Sequence, residues 1–408
     1  MTLTRPLAAA PVEPTLDGAA APPPLTELAA WAQRLGEVGE RRRPHVGADD
    51  AAGRFPAQAF AEVAATGLFA LPFTDDRRRS DTSIPALLAA IEELAYTSDD
   101  AGLAFAVATQ LASAIIPLAR FGAPALREEL AGALADGTLV GAHAITEPGA
   151  GSDTSAITTV ARPDGDGHLL VSGEKAFVSN GPVADLIVVY AQVGEPGASG
   201  GLTALAVDAD APGVKPGAAL STLGLRTSPL GTLSLDGVRV PRGRVVGQVG
   251  AGPWLLSHVM AREILFIAAG HVGLLRRRYE RLVDRARTRH QGGVPIGSHQ
   301  AVAHAVADVK LSLDTVRLWL DHAATVLVSG ADASAEIASL KIVASEAAVS
   351  SARTAVQVFG GDGFLTGTEI ERGLRDAAAS TIYSGTNEIQ RNKIAALAGI
   401  TTPARGAW

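Results

Sequence analysis

The hydrophobic pattern changes period twice along the chain, from helical to strand-like and back. From Pro24 to about Gly141 it is helical. Pro85-Ala-Leu-Leu-Ala-Ala-Ile-Glu-Glu-Leu-Ala joins strong helix formers to a proline near the first turn, where the missing N–H costs no hydrogen bond. Leu103 to Ala119 is almost entirely apolar, as a helix buried on most sides would be. Pro124 to Ala135 reads as another helix, closed by Asp136-Gly137. From Ala142 to about Val246 the signal is strands and turns. His168-Leu-Leu-Val and Lys175-Ala-Phe-Val-Ser read as two strands joined by a tight turn at Ser172-Gly173-Glu174. Leu186 to Val193 and Leu202 to Val207 are short β-branched runs, and Thr232 to Val240 ends the region with Pro241 as a stop. From Pro253 the helical period returns over 254–289, 296–329 and 333–358, with glycine- or proline-bearing breaks between.

This pattern predicts an α+β multidomain chain. A leader, expected to be disordered, covers 1–23, an N-terminal helical domain 24–141, a compact antiparallel β-domain 142–246 and a C-terminal helical bundle 247–408. A length of 408 residues, 47% of them hydrophobic, supplies ample apolar material for two or three such units. The formal charge of -7 argues against broad nucleic-acid binding, which needs a basic face. With no cysteine there are no disulfides, thiolate nucleophiles or cysteine-ligated metals, and a reducing cytoplasm fits. The Ala- and Pro-rich leader lacks the apolar run of a signal peptide. No uninterrupted apolar stretch of about 18 residues is evident, so no membrane span is expected.

A classical NAD or NTP site is not expected, because no G-x-G-x-x-G follows a strand and no Walker loop occurs. Glycine-rich turns occur at Thr146-Glu-Pro-Gly-Ala-Gly-Ser-Asp153 and Gln357-Val-Phe-Gly-Gly-Asp-Gly-Phe364. Such turns let backbone N–H groups approach phosphate oxygens, though either alone is more often an ordinary loop. Taken in order with Gly173-Glu-Lys-Ala-Phe-Val-Ser-Asn-Gly181, Gly224-Leu-Arg-Thr-Ser228, Arg289-His-Gln-Gly-Gly-Val-Pro-Ile296 with Gln300, and Ile382-Tyr-Ser-Gly-Thr-Asn-Glu-Ile-Gln-Arg391, they form six segments in register. Together these segments resemble the acyl-CoA dehydrogenase family over essentially the whole chain beyond the leader.

The resemblance implies FAD as cofactor, with its ring between the β-domain and a C-terminal four-helix bundle. It implies that Thr146, Gly151 and Ser152 contact the flavin and pyrophosphate. It also implies that Phe177 stands where most members carry tryptophan against the ring, and that Ser179 approaches flavin N5. Both suit the physics, since an aromatic face packs on a flat ring and a hydroxyl tunes its redox atom. A plain strand-core role for Phe177 remains open. Arg289, Gln357, Gly361, Thr386 and Glu388 match positions that hold the FAD phosphates, adenine or ribityl chain. Several of these act across a subunit boundary in the family, which implies a homodimer or homotetramer. Gly292 departs from the phenylalanine common in the Arg-x-x-Phe-Gly pattern.

The chemistry implied is oxidation of the Cα–Cβ bond of an acyl thioester. It requires a base for the weakly acidic α-proton while a hydride leaves Cβ for N5, and a carboxylate in a dry pocket is suited to that task. Many family members place this base between Tyr and Gly of a late Tyr-Glu-Gly-Thr; here that slot is Ser384, which cannot serve unaided. Isovaleryl-type and long-chain members carry it on an earlier helix before an arginine. Aligning Ile267 to Gly273 with that helix puts Glu263 on the alternative site, with Ile264 replacing the arginine. The residues agree: Leu256, Met260, Glu263, Ile267, Gly270 and Leu274 form one helical stripe, and a lone acid on such a stripe is costly to bury without purpose. The bland alternatives are pairing with Arg262 or exposure at a helix end. His143 and His271 lie near the motifs, but lone histidines are more often structural. The basic run Arg276 to Arg289 is usually a solvated face; it could also meet CoA phosphates or an acidic carrier. No metal-ligand cluster stands out.

The expected function is FAD-dependent α,β-dehydrogenation of an acyl or aminoacyl thioester on CoA or on an acyl or peptidyl carrier protein. Glu263 is the expected base, a separate electron acceptor is needed, and biosynthetic relatives also lack the late glutamate. The alternatives are a flavin monooxygenase or oxidase on the same fold, or a non-catalytic FAD-free subunit.

Overall fold

The computed structural model describes residues 25–74, 81–194 and 201–400, so the expected leader lies outside the described residues. The N-terminal helices are α1 (Leu25–Arg42), α2 (Val46–Ala52), α3 (Ala57–Ala65), the short α4 (Leu71–Thr74), α5 (Ile84–Ser98), α6 (Ala101–Thr109), α7 (Ile116–Phe121) and α8 (Pro124–Ala135). The apolar run predicted as one helix is α6 and α7 joined by a π-helical turn over Gln110–Ile115. That turn carries the buried Gln110, which donates to Leu139 O at 2.9 Å and accepts from Gly141 N at 2.5 Å. A core helix thereby fixes where the sheet begins.

The strands are β1 (Gly141–Ala144), β2 (Val160–Pro163), β3 (His168–Ser179), β4 (Leu186–Val193), β5 (Gly201–Asp208), β6 (Val214–Pro216), β7 (Leu230–Pro241) and β8 (Val245–Val246). Their order is β6-β7-β3-β2-β4-β5-β8, with β1 also on β4. Two features differ from the sequence expectation. The sheet is mixed, because β4 pairs in parallel with both β1 and β2 while its other edge is antiparallel to β5. The long connections into β4 permit this, as parallel pairing needs a crossover that a hairpin cannot supply. Residues 168–179 are moreover one strand and not a hairpin. Gly173, at φ 154°, absorbs a bulge against β7 where a Cβ would meet Thr159 Oγ1 at 2.4 Å.

The C-terminal part contains α9 (Gly252–Thr288), the short strands β9 (His290–Gln291) and β10 (Val294–Pro295), α10 (Gln300–Val328), α11 (Ser334–Phe359), α12 (Gly361–Phe364), α13 (Glu369–Ala378) and α14 (Asn387–Leu397). One apolar core joins both helical regions through residues such as Leu35, Ile91, Val107, Phe266, Leu320 and Leu340. A second core, with Val171, Ile187, Leu205 and Val238, lies within the sheet. Residues 101–121 and 252–288 are long and apolar enough to cross a membrane by composition, although polar residues interrupt both runs. Their apolar windows are 89% and 67% buried in the fold, so core packing accounts for that composition.

Most of the arginine-rich end of α9 is not a solvated face, although Arg287 and Arg289 are exposed. Arg276 bonds Glu92 and Glu93 on α5, Arg281 bonds Asp99, and Arg285 bonds Asp362. These cations hold the bundle together.

Candidate active site

Glu263 lies about a third of the way along α9 and is 5% exposed. Arg262, one position earlier and about 100° around the helix, leaves it entirely and bonds Asp81 at 2.9 and 2.5 Å. The carboxylate instead meets two groups that the fold brings from elsewhere. Ser384 Oγ donates to Glu263 Oε1 at 2.5 Å, and His143 Nε2 on β1 lies 3.5 Å from Oε2. Among the described residues Oε2 has no hydrogen-bond partner, and neither does His143 Nδ1. Burial pulls the His143 pKa down, against the nearby Glu263 charge that raises it. Burial, with the same carboxylate, pushes the Tyr190 and Tyr383 hydroxyls up. A buried acid with one free oxygen is therefore ringed by neutral polar groups, the setting a proton-abstracting carboxylate requires.

The serine standing in the late-base slot is thus a partner of the earlier acid. Ser384 sits at φ 52° ahead of Gly385, a bend that turns its hydroxyl onto α9. Tyr383 beside it bonds His271 Nε2 at 3.0 Å, and burial with nearby Arg278 and Lys341 takes His271 down to about 4. His143 and His271, which the sequence reading weighed but favoured as structural, and Tyr383 of the late motif are neighbours of this site. The only available signal was their closeness to recognisable motifs.

The sheet offers a second surface. Ala176 N donates to Thr146 O at 2.9 Å and ties the glycine-rich loop to β3. Glu147 anchors that loop: it accepts from Thr158 N and Oγ1 at 2.7 Å, from Thr159 N and Oγ1 at 2.9 and 2.5 Å, and from Lys175 Nζ at 2.8 Å. Burial would raise its carboxyl, yet these donors hold it at about 2. Gly149 and Gly151 face open space, and Ser152 is exposed. Phe177 adopts φ 54° at a break in the β3 register and is 63% exposed, so it is not a core residue. A left-handed phenylalanine costs free energy, and this one leaves its ring exposed two residues before half-buried Ser179. A flat apolar cofactor ring fits this platform: it would cover the exposed aromatic and meet a hydroxyl.

The remaining candidates fall into two groups. Thr386 lies two residues beyond Ser384, where its hydroxyl caps α14 by accepting from Ile389 N, and Glu388 is exposed in that first turn. Arg289, Gln357 and Gly361 are exposed at the far end of the bundle, which Arg285 closes through Phe359 O at 3.1 Å. Arg289, the residue immediately after α9, is 26 residues beyond Glu263, about 39 Å along the helix axis. Along α9, Arg289 thus stands far from Glu263. Among the described residues no cluster suited to a metal ion occurs.

Comparison with known proteins agrees across the chain. Models of the acyl-CoA dehydrogenase N-terminal, middle and C-terminal domains match residues 28–138, 142–238 and 252–398. An L-prolyl (peptidyl-carrier protein) dehydrogenase of Pseudomonas fluorescens is 34% identical over 84% of this chain and 90% of its own length. A structure described as PigA with FAD and proline superposes with a TM-score of 0.85 at 29% identity, covering 91% of this chain and 97% of that one. The prolyl acyl carrier protein oxidase AnaB gives 0.86 at 31% identity, covering 92% and 99%.

Proposed function

The chain belongs to the acyl-CoA dehydrogenase family and is an FAD-dependent dehydrogenase of acyl thioesters; within that chemistry we propose that Glu263 removes the α-proton. FAD, when bound, supplies the acceptor for the hydride leaving Cβ. The chain's own residues do the rest. Glu263 receives the proton on the oxygen left free, Ser384 holds the other oxygen by its hydrogen bond, and neutral His143 packs beside the pair. Phe177, Ser179 and the Thr146–Ser152 loop bind and orient the ring, and the surrounding core keeps water from the carboxylate. The buried, Ser384-bonded Glu263 carboxylate carries this reading.

The test is anaerobic mixing with an acyl thioester while flavin absorbance is followed. Glu263→Gln is expected to retain FAD and to slow bleaching by about 10²- to 10⁴-fold, the usual loss when a general base is removed. Bleaching at the wild-type rate would place the base elsewhere.

The substrate in this reading is an aminoacyl group of prolyl type on a carrier protein. It is supported by the two prolyl-enzyme relatives and by the proline-bound neighbour. Faster reduction by L-prolyl carrier protein than by butyryl-CoA is expected; the reverse order assigns a CoA substrate. The assembly in this reading is a homo-oligomer. A pyrophosphate joined to the flavin by a five-carbon ribityl chain cannot span the roughly 39 Å from Glu263 to Arg289, so a second copy supplies Arg289, Gln357 and Gly361.

A further inference from the structure

A groove of about 820 Å³ lies along α9, with Ala104 of α6 and Gly373 of α13 also in its lining, and Glu263 does not line it. On α9 it is lined by Ile267, His271, Leu274, Arg278 and Arg281, a single stripe at steps of four and three. The stripe starts apolar at Ile267 and ends cationic at Arg278 and Arg281.

The charges at that end do not cancel. Asp99 accepts from Arg281 at 3.1 Å and from Arg372 at 2.9 Å, Arg277 stands 3.7 Å from it, and Arg281 also meets Glu369. Asp376, the third acid in the lining, accepts from Leu225 N at 2.6 Å. Burial pushes Asp376 up to about 7, so it is only partly ionised at neutral pH. Arg278 has no ion-pair partner among the described residues. Its Nη1 donates to Ser351 Oγ at 2.8 Å and to Ala348 O at 3.4 Å, while Nε and Nη2 have no acceptor there. Gly373 leaves room for that edge, since a Cβ on it would stand 3.2 Å from Nη2. Nε and Nη2 form the side of the guanidinium whose two parallel N–H groups match a carboxylate.

We propose that this groove is a second ligand site, beside the Glu263 site, which takes a carboxylate with a short apolar body: the carboxylate on Arg278 and the body along Leu274 and Ile267. A monoanion suits the small excess of positive charge, whereas a phosphate dianion would meet Asp99 and Glu369. The carboxylate comes either from a free acid or from the far end of an acyl group. The site does not depend on which residue is the base.

FAD-loaded enzyme titrated calorimetrically with hexanoate, hexanol and hexylamine tests this. Hexanoate is expected to bind at least tenfold more tightly than either neutral or cationic analogue, and salt should weaken hexanoate alone. Arg278→Met should lower hexanoate affinity about ten- to a hundredfold, the range for losing a hydrogen bond between charged groups, and leave hexanol unchanged. Arg278→Lys should keep part of the affinity. Hexanoate bound no more tightly than hexanol overturns the site, as does undiminished hexanoate binding in FAD-bearing Arg278→Met. If that variant fails to fold, the wild-type series alone decides. Adipoyl-CoA and hexanoyl-CoA, compared by the flavin absorbance change, separate the sources. Tighter adipoyl binding that Arg278→Met abolishes assigns the carboxylate to the acyl group; equal thioesters, with hexanoate still bound, assign it to a free acid. The same titrations in Glu263→Gln let the site and the base fail separately.

Discussion

Ser384 shows how one side chain can change its task while keeping its place. It cannot take a proton from carbon, but its hydroxyl lies 2.5 Å from Glu263, the acid proposed to do so. A hydrogen bond to a charged group contributes roughly 1.5–3 kcal/mol, so Ser384→Ala should slow flavin reduction about ten- to a hundred-fold. That is milder than the effect expected for Glu263→Gln, and stopped-flow reduction of both variants gives the comparison. Equal losses would mean that the hydroxyl does more than position the carboxylate. Phe177 is the complementary case: its left-handed backbone and exposed ring make sense once a flat partner covers it.

At the scale of elements, the loop after β1 is held by charge more than by apolar packing. Lys175 and Glu147 are almost wholly buried, and Lys175 Nζ also donates to Ile145 O at 3.0 Å. Lys175→Met strands a buried carboxylate and should cost about 3–5 kcal/mol, seen as a lower Tm and faster FAD loss on dialysis. Acid should act on the same joint. The Glu147 pKa is depressed from an ordinary 4.5 to about 2, so its contribution is full above about pH 5 and is lost as pH falls towards 2. The Tm should therefore drop more steeply across that range in the wild type than in Glu147→Gln; identical slopes would remove the pair from the acid response.

For the whole molecule, the controlling dimension is the length of α9, whose 37 residues span about 55 Å. It sets Glu263 and Arg289 about 39 Å apart along its axis, which in the proposed assembly assigns them to different FAD sites. Arg289→Ala should thus purify with little FAD, and so should Thr386→Ala. Mixed and refolded together, the two variants should recover FAD sites in which both residues are intact. Light scattering on the wild type should give a dimer or larger species. A monomer with full FAD occupancy would refute the shared site.

Much of this was legible in the sequence because a hydrophobic period reports a repeating local geometry with one face buried. The ranges of α9, α10 and α11 follow from it almost directly, as does the apolar stripe that singles out Glu263. Motif order indicated the family without any contact being known. The same signal could not separate a bulge at Gly173 from a turn, since both use glycine. Nor could it show that β4 runs parallel to β1 and β2. The pairing of Glu263 with Ser384 joins residues 121 positions apart, with His143 arriving from a third element. Local dihedral preference carries no information across such a separation. Packing of the sheet against the shared helical core decided which polar groups face the acid.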